Sequence, residues 1–181
     1  MSAATLPSGL VVRRVERAGD AEIAALAGLL VDIVEGGASV GFMQPLELAR
    51  AQAFWRGVAE AVARGERALF VADDGAPERI VGTVQLVLHQ PDNQPHRADV
   101  AKMLVRRSAR RRGIGAALMK AAENEARDRG RTLLVLDTAS ADAERLYARL
   151  GWQRCGTIPG YALLPQGGLC DTTYFYRVLG P

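Results

Sequence analysis

The first third of the chain alternates between apolar and polar residues with the periods of one short strand and two helices. Residues 10–15 form a short β-like run. After Asp20, which suits a helix cap, apolar side chains recur at helical spacing until the two glycines at 36 and 37 interrupt them. A second helical pattern extends from Pro45, a residue that suits the first turn of a helix, to residue 66. We therefore expect a strand followed by two amphipathic helices.

Beyond residue 66 the pattern changes to short runs rich in β-branched and large apolar residues. The first two runs flank a turn signal, so they predict an antiparallel hairpin. Further along, an almost wholly apolar run is typical of a strand covered on both faces. The predicted elements are strands at 67–74, 79–88 and 97–105, a helix at 116–130, a strand at 132–138, a helix at 141–151, and strands at 152–158 and 172–179. A loop rich in glycine and proline joins the last two strands.

This order of elements, β-α-α-β-β-β-α-β-α-β-β, predicts one α/β or α+β domain that spans residues 1–181 and contains a mixed sheet. The unit from Asp99 to Thr138 should cross over with the right hand, which makes its two strands parallel. Of the 181 residues, 49% are hydrophobic, which suits a domain with a core of its own.

The composition argues against several classes of function. A net charge of only +3 does not fit a dedicated nucleic-acid binder, although five arginines cluster within residues 106–112. The two cysteines are too few for a disulfide scaffold and lack the spacing of a zinc site, and with only two histidines we expect no metal. No signal peptide or membrane-spanning run is visible, so we expect a cytoplasmic protein without a membrane partner.

The most informative motif is the pair of glycines at 113 and 115, between a predicted strand and a predicted helix. The first N–H groups of a helix have no partner inside the helix, and the helix dipole is positive at that end. Because glycine lets the backbone approach a ligand closely, the junction predicts a phosphate or pyrophosphate site. Two familiar phosphate motifs are absent. Ala116 stands where a Walker loop needs lysine, and Leu118 stands where a dinucleotide fingerprint needs a third glycine.

Three motifs, in the order and spacing found here, resemble the GNAT superfamily of N-acetyltransferases. Arg110-x-x-Gly113-x-Gly115 matches that family's pyrophosphate loop, KMLV and LLVLD match its fourth and fifth strands, and AERLYARLGW matches the helix that follows. The resemblance implies the family's fold, a mixed and mostly antiparallel sheet of about seven strands flanked by about four helices. It also implies that the parallel pair of strands splays apart in a V, where acetyl-CoA binds as cosubstrate.

The resemblance assigns roles on the side of the acetyl donor. Residues 103–105 would offer backbone groups to the acetyl group and the pantetheine arm, and residues 110–116 would cradle the pyrophosphate. Tyr147 aligns with the tyrosine that often protonates the departing thiolate, although it could simply be a half-buried aromatic residue. Ser140 stands where many members carry an asparagine that contacts the pantetheine arm. The expected cofactor-binding residues are Met103, Leu104, Val105, Arg110, Arg111, Arg112, Gly113, Ile114, Gly115, Ala116, Ser140 and Tyr147.

The side of the acetyl acceptor is less determined. Transfer to an amine requires a group, or a chain of waters, that accepts the proton of the amine. Histidine is a common proton acceptor in enzymes near neutral pH, which makes His96 a candidate, and Asp137 is a carboxylate at the end of an apolar strand. Together with Tyr147 these are the catalytic candidates, while Asp99 and Glu35 are the other base candidates. In the family, the loop between the first two helices and the last loop form the walls of the acceptor site. The expected substrate-binding residues are Glu35, Phe42, Gln44 and Tyr161.

A closer resemblance covers about the second half of the chain. The segments HRADVAKMLV, IPGYALLPQGG and TTYFYRVL resemble the subgroup that contains the tabtoxin resistance acetyltransferase. This implies acetylation of a small-molecule amine, such as a toxin or an antibiotic, by direct attack in a ternary complex, and it allows a homodimer. The alternatives are an acetyltransferase for protein N-termini or lysines, a non-catalytic CoA-binding regulatory module, and a nucleic-acid binder. The last is the weakest because the arginine run lacks interleaved aromatic residues.

Overall fold

The computed structural model describes residues 9–74 and 80–180. One sheet of seven strands, in the spatial order β1-β2-β3-β4-β5-β7-β6, forms the centre of the molecule. The strands are β1 (Val11–Val15), β2 (Arg67–Asp73), β3 (Ile80–Val87), β4 (Arg97–Val105), β5 (Leu133–Thr138), β6 (Gln153–Leu163) and β7 (Leu169–Val178). All neighbouring strands are antiparallel except the parallel pair β4 and β5. This arrangement confirms the predicted fold class and the parallel pair.

Helices cover both faces of the sheet. They are α1 (Asp20–Glu35), α2 (Leu48–Ala63), α3 (Ile114–Asp128) and α4 (Ala141–Arg149), with a short 3₁₀ turn at Arg107–Ala109. One core cluster joins α1 and α2 to one face and contains the fully buried Trp55. A second cluster joins α3 and α4 to the other face and contains Leu118, Leu134 and Tyr147. Each face of the sheet therefore has a hydrophobic core of its own.

The ends of several elements differ from the predictions. Gly19, not Asp20, occupies the cap position of α1, because Glu22 accepts a hydrogen bond from the Gly19 N–H at 3.2 Å and satisfies that end. Pro45 lies in the loop before α2, which begins at Leu48. β6 continues past residue 158 through an irregularity in its pairing with β7, so the final loop is shorter than expected. The predicted turn between the second and third strands falls on residues 75–79, outside the described residues.

β4 and β5 pair over only the first three residues of each strand. The last of these pairs joins Asp99 to Val135, and beyond it the strands separate. From that point the edge of β4 that faces β5 carries backbone groups without strand partners. An opening of this kind exposes backbone donors and acceptors to a ligand, which is unusual inside a sheet. The predicted V is therefore present between residues 100–105 and 136–138.

A β-bulge bends β4 at the mouth of this opening. Leu104 pairs with Thr83 and Ala101 pairs with Gln85, so two residues of β4 oppose one residue of β3. The extra residue is placed at Lys102, whose backbone has a φ of 50°. A positive φ is uncommon for a residue with a side chain, and bulges re-aim side chains next to functional sites.

Two connections close over the sheet near the opening. The Gln44 N–H donates to the Pro165 carbonyl at 2.9 Å, and the Ser39 hydroxyl donates to the Leu163 carbonyl at 3.2 Å. These bonds join the α1–α2 loop to the β6–β7 hairpin. Within residues 9–74 and 80–180, no helix has the length and apolar content required to cross a bilayer.

Candidate active site

The opening between β4 and β5 is the mouth of a cleft with a volume of about 1140 Å³. The free edges of both strands, the first turn of α3 and one face of α4 form its walls. Residues 36–41 of the α1–α2 loop and part of the β6–β7 hairpin line the other side. We call the part at the start of α3, where the resemblance places the acetyl donor, the donor half. The part under the loop and the hairpin, where the resemblance places the acceptor, is the acceptor half.

The start of α3 provides an anion site made of backbone. Gly113 is the cap residue with a φ of 79°, and no side chain caps the helix. The first helical bond is donated by the Ala117 N–H to the Gly113 carbonyl at 3.1 Å, so the three preceding N–H groups, on residues 114–116, have no partner in the helix. These groups and the positive end of the helix dipole favour an anion in the cleft.

The two positions of the motif require glycine for different reasons. Gly113 needs its left-handed backbone, and a Cβ there would meet nothing within 4 Å. Gly115 has no positive φ, but a Cβ there would lie 2.9 Å from Leu146 Cδ2 and 3.6 Å from Met103 Sδ. Gly115 therefore lets α3 pack closely against α4 and β4. Gly115 also lines the cleft, so its expected role in binding the cofactor stays a prediction beside this packing role.

The arginine run is divided between structure and cleft. Arg107 binds the Asp32 carboxylate through its side chain at 3.0 Å and its backbone N–H at 3.1 Å, which attaches the loop to α1. Arg110 and Arg111 line the cleft, and Arg111 has a positive φ of 62°. Arg112 is exposed and does not line the cleft, so its expected role in binding the cofactor has no geometric support.

Tyr147 lies at the wall of the cleft between the two halves. It is only 4% exposed, and its ring packs against Phe175 at 5.8 Å and Trp152 at 6.0 Å between centroids. Burial, with a smaller effect of the Asp137 charge, raises the pKa of the Tyr147 phenol. Among the described residues its hydroxyl has no hydrogen-bond partner. The chain therefore presents a neutral phenol to the cleft with its donor free.

Two further predicted residues line the same cleft. Asp137, at the end of β5, accepts a hydrogen bond from the Thr172 hydroxyl at 2.7 Å. Ser140 is the cap residue of α4, and its hydroxyl accepts a hydrogen bond from the Ala143 N–H at 3.4 Å. The serine hydroxyl still has its proton to donate toward the cleft.

Two of the base candidates lie elsewhere. His96 precedes β4 at the closed end of the V, where its carbonyl accepts from the Thr132 N–H at 2.8 Å. With the rise per residue of an extended strand, His96 lies about 20 Å from the open end of the V. Asp99 forms an ion pair with Arg97 at 3.2 Å and accepts from Gln90 at 3.2 Å, outside the cleft. Neither geometry supports a role as base.

Of the four predicted acceptor residues, the cleft contains Tyr161 alone. Its hydroxyl lies 3.1 Å from that of Tyr174. Phe42 packs edge-on against Phe54, 5.3 Å between centroids, and is part of the core around α2. Glu35 and Gln44 line a separate, shallower cavity of about 560 Å³. The sequence analysis expected Glu35, Phe42 and Gln44 in the wall formed by the α1–α2 loop, but that loop turns Gly36–Gly41 toward the cleft instead.

Sequence reasoning missed three basic residues that line the cleft, Lys102, Arg145 and Arg149. The sequence signal for Lys102 is a charged residue between two apolar segments of the strand, Ala101 on one side and residues 103–105 on the other. The two arginines lie four residues apart in the helix motif, which places them on one face of α4.

The comparison with known families bears on this cleft directly. Residues 30–152, more than half of the chain, match the acetyltransferase (GNAT) family. The chain belongs to the GNAT acetyltransferase family. The matched segment contains α3, α4 and both strands that line the V, so the family match and the cleft coincide.

Solved structures of GNAT proteins share the fold over almost the whole chain. An N-acetyltransferase from Staphylococcus aureus Mu50 has a TM-score of 0.78 and 18% identity, and the alignment covers 96% of this chain and 100% of that one. A Salmonella typhimurium structure solved with its cofactor acetyl-CoA has a TM-score of 0.77 and 18% identity, and the alignment covers 96% of this chain and 95% of that one. A phosphinothricin acetyltransferase from Sinorhizobium meliloti, in complex with acetyl-CoA, has a TM-score of 0.76 and 18% identity, and the alignment covers 95% of this chain and 89% of that one.

Proposed function

We propose that this GNAT protein transfers the acetyl group of acetyl-CoA to the amine of a small molecule. One observation carries the proposal: a single cleft contains both an uncapped helix N-terminus and a buried tyrosine whose hydroxyl is free. The first feature suits a pyrophosphate and the second suits a leaving thiolate. The acetyl-CoA complexes of the Salmonella and Sinorhizobium proteins support the choice of cosubstrate.

The donor half fits acetyl-CoA along its length. The backbone N–H groups of residues 114–116 bind the pyrophosphate, and Arg110 and Arg111 add charge at the rim. The open edge of β4 at residues 103–105 binds the pantetheine arm and the thioester as an added strand would. Ser140 donates a hydrogen bond to the same arm from the cap of α4.

The chemistry follows from two titratable side chains that line the cleft, Tyr147 and Asp137. The neutral amine attacks the thioester carbonyl, a C–N bond forms, and the C–S bond breaks as the tetrahedral intermediate collapses. Tyr147 donates its proton to the departing sulfur, which leaves as a thiol. Asp137 accepts the proton of the amine, directly or through water, and returns it to solvent. Tyr147 recovers its own proton from solvent, so the protein ends the cycle unchanged.

The acceptor half favours a small molecule over a protein segment. The hydrogen bonds from Ser39 to Leu163 and from Gln44 to Pro165 join the loop and the hairpin beside the cleft. A peptide chain would have to break them to enter from that side. A toxin or antibiotic as acceptor, as the tabtoxin-like segments suggest, and a homodimeric, cytoplasmic enzyme stay predictions.

The proposal is tested by free-thiol release with acetyl-CoA and a panel of amines, together with calorimetry of acetyl-CoA binding. We expect micromolar binding and amine-dependent release of thiol. Failure to bind acetyl-CoA would overturn the proposal. Binding without turnover on any amine, peptide or small molecule would favour the regulatory module. Turnover on peptides alone would favour the protein acetyltransferase.

A further inference from the structure

Lys102 places an ammonium group in the acceptor half of the cleft, and the proposed mechanism assigns no role to this group. It lies at the bulge of β4, where the backbone φ of 50° directs a side chain away from the regular alternation of the strand. The residue lines the cleft next to Met103. Its position is therefore one residue from the strand edge that binds the thioester.

The ammonium group of Lys102 lies close to an aromatic ring and to a glycine. Its nitrogen lies 5.7 Å from the centre of the Phe54 ring. A Cβ at Gly41 would lie 3.8 Å from the same nitrogen, so the ammonium group lies against the α1–α2 loop, whose residues 36–41 also line the cleft. The side chain thus lies between α2 and the loop, at the wall of the acceptor half.

Within residues 9–74 and 80–180 this ammonium group forms no ion pair or hydrogen bond. The charges that act on it are Arg67, which repels it, and Asp137, which attracts it from the other strand of the V. Arg67 donates to Gln85, and Asp137 accepts from Thr172. Burial lowers the pKa of Lys102 most, and the charge of Arg67 lowers it further. The charged form of Lys102 is therefore disfavoured in this position.

We propose that Lys102 binds an anionic group of the acceptor, so that the substrates are amines that also carry a carboxylate or a similar anion. This inference rests on the proposed function, since it names the acceptor class of the same site. One carboxylate and one ammonium group of the cleft then match the two charged groups of the substrate: the amine approaches Asp137 on β5, and the anion approaches Lys102 on β4. A partly buried cation without a partner gains more from such a pair than an exposed one.

The first test compares acceptors that differ only in the anion, namely amino acids and their primary amides. The wild type should prefer the acid at least tenfold in kcat/KM. Lys102→Met should reduce that preference by about 10- to 100-fold, mainly through KM of the acid, since hydrogen bonds to charged groups are of that size. Lys102→Arg should retain most of it.

The matched control is Arg50→Met, which removes an exposed cation that lies over the Phe42 ring, outside the cleft. It should leave the preference unchanged. Equal loss of rate with acids and amides in Lys102→Met would overturn the proposal and indicate that Lys102 moves the proton of the amine. An unchanged preference would also overturn it.

A second test does not depend on turnover. The chain has two lysines, Lys102 and the exposed Lys120, so ¹³C-dimethylation of their amines gives two assignable side-chain NMR signals that keep the charge. With CoA bound, N-acetylated amino acids should shift the Lys102 signal and leave Lys120 unmoved, whereas their amides should shift neither. No shift of Lys102 with any acid would contradict the anion site, even if acetyl-CoA binds. Loss of acetyl-CoA binding in calorimetry would instead contradict the proposed function.

Discussion

The anion site of the donor half is made of backbone groups, whereas the ionisable groups of the acceptor half are side chains. At the donor half, Gly113 opens a helix whose first N–H groups are free, and β4 leaves its edge unpaired beyond Asp99. At the acceptor half, Lys102, Asp137 and Tyr161 come from three different elements. Backbone groups recognise the invariant part of a cosubstrate, and side chains can change with the acceptor. The difference explains why one half follows from a short motif and the other does not.

The largest expected effect concerns the donor half. Gly113→Glu would place a side chain at a φ of 79° and a negative charge at the anion site. We expect acetyl-CoA affinity to fall more than 100-fold, about 2.7 kcal/mol, measured by calorimetry. Gly130→Glu is the control, because Gly130 has a φ of 67° and open space around it but lies beyond the other end of α3. Equal losses in both variants would place the pyrophosphate elsewhere.

The next effect concerns the residue between the halves. Tyr147→Phe keeps the ring that packs against Trp152 and Phe175 and removes only the free hydroxyl. We expect kcat to fall about 100-fold or more with little change in acetyl-CoA affinity, as for a lost general acid. Tyr176→Phe, which removes a hydroxyl that donates to Gln153, should leave kcat unchanged. An unaltered kcat in Tyr147→Phe would leave Tyr147 with packing alone.

A smaller effect separates the two glycines of the motif. Gly115→Ala should destabilise the fold by about 1 kcal/mol, because its Cβ would displace the end of the Leu146 side chain. Urea unfolding measures this loss. The double variant with Leu146→Ala should be less destabilised than the sum of the single variants, since the second change makes room for the first. Strict additivity would show that Gly115 does not serve the packing of α3 on α4.

The smallest effect is one of pH. Because burial raises the pKa of Tyr147 above the value of about 10 for a free phenol, the folded chain stays neutral there while the unfolded chain ionises. This contribution to stability is fully present below about pH 10 and is lost as the pH rises toward the folded pKa. Urea unfolding from neutral pH to pH 11 should show a steeper loss in the wild type than in Tyr147→Phe. Parallel curves would mean that the phenol is hydrated.

The order of elements and the donor half could be predicted from the sequence because both depend on local patterns. Helical spacing, apolar runs and the glycines at a strand–helix junction are features of neighbouring residues, and they drew attention to Gly113. Tyr147 was singled out by the resemblance of its helix to a family motif. The acceptor half depends on how distant loops fold over the sheet. The turn of the α1–α2 loop directs Gly41, not Phe42, toward the cleft, and a bulge turns Lys102 into it. His96 precedes the predicted strand that contains Lys102. The separation of β4 from β5 after Asp99 leaves His96 at the closed end of the V and Lys102 at the cleft.

The most direct test is a crystal structure of the protein with bound acetyl-CoA. The account predicts pyrophosphate oxygens within about 2.7–3.2 Å of the N–H groups of residues 114–116. It also predicts a thioester along residues 103–105 with its sulfur next to the Tyr147 hydroxyl. A cofactor bound outside the opening between β4 and β5, or with its sulfur remote from Tyr147, would contradict it.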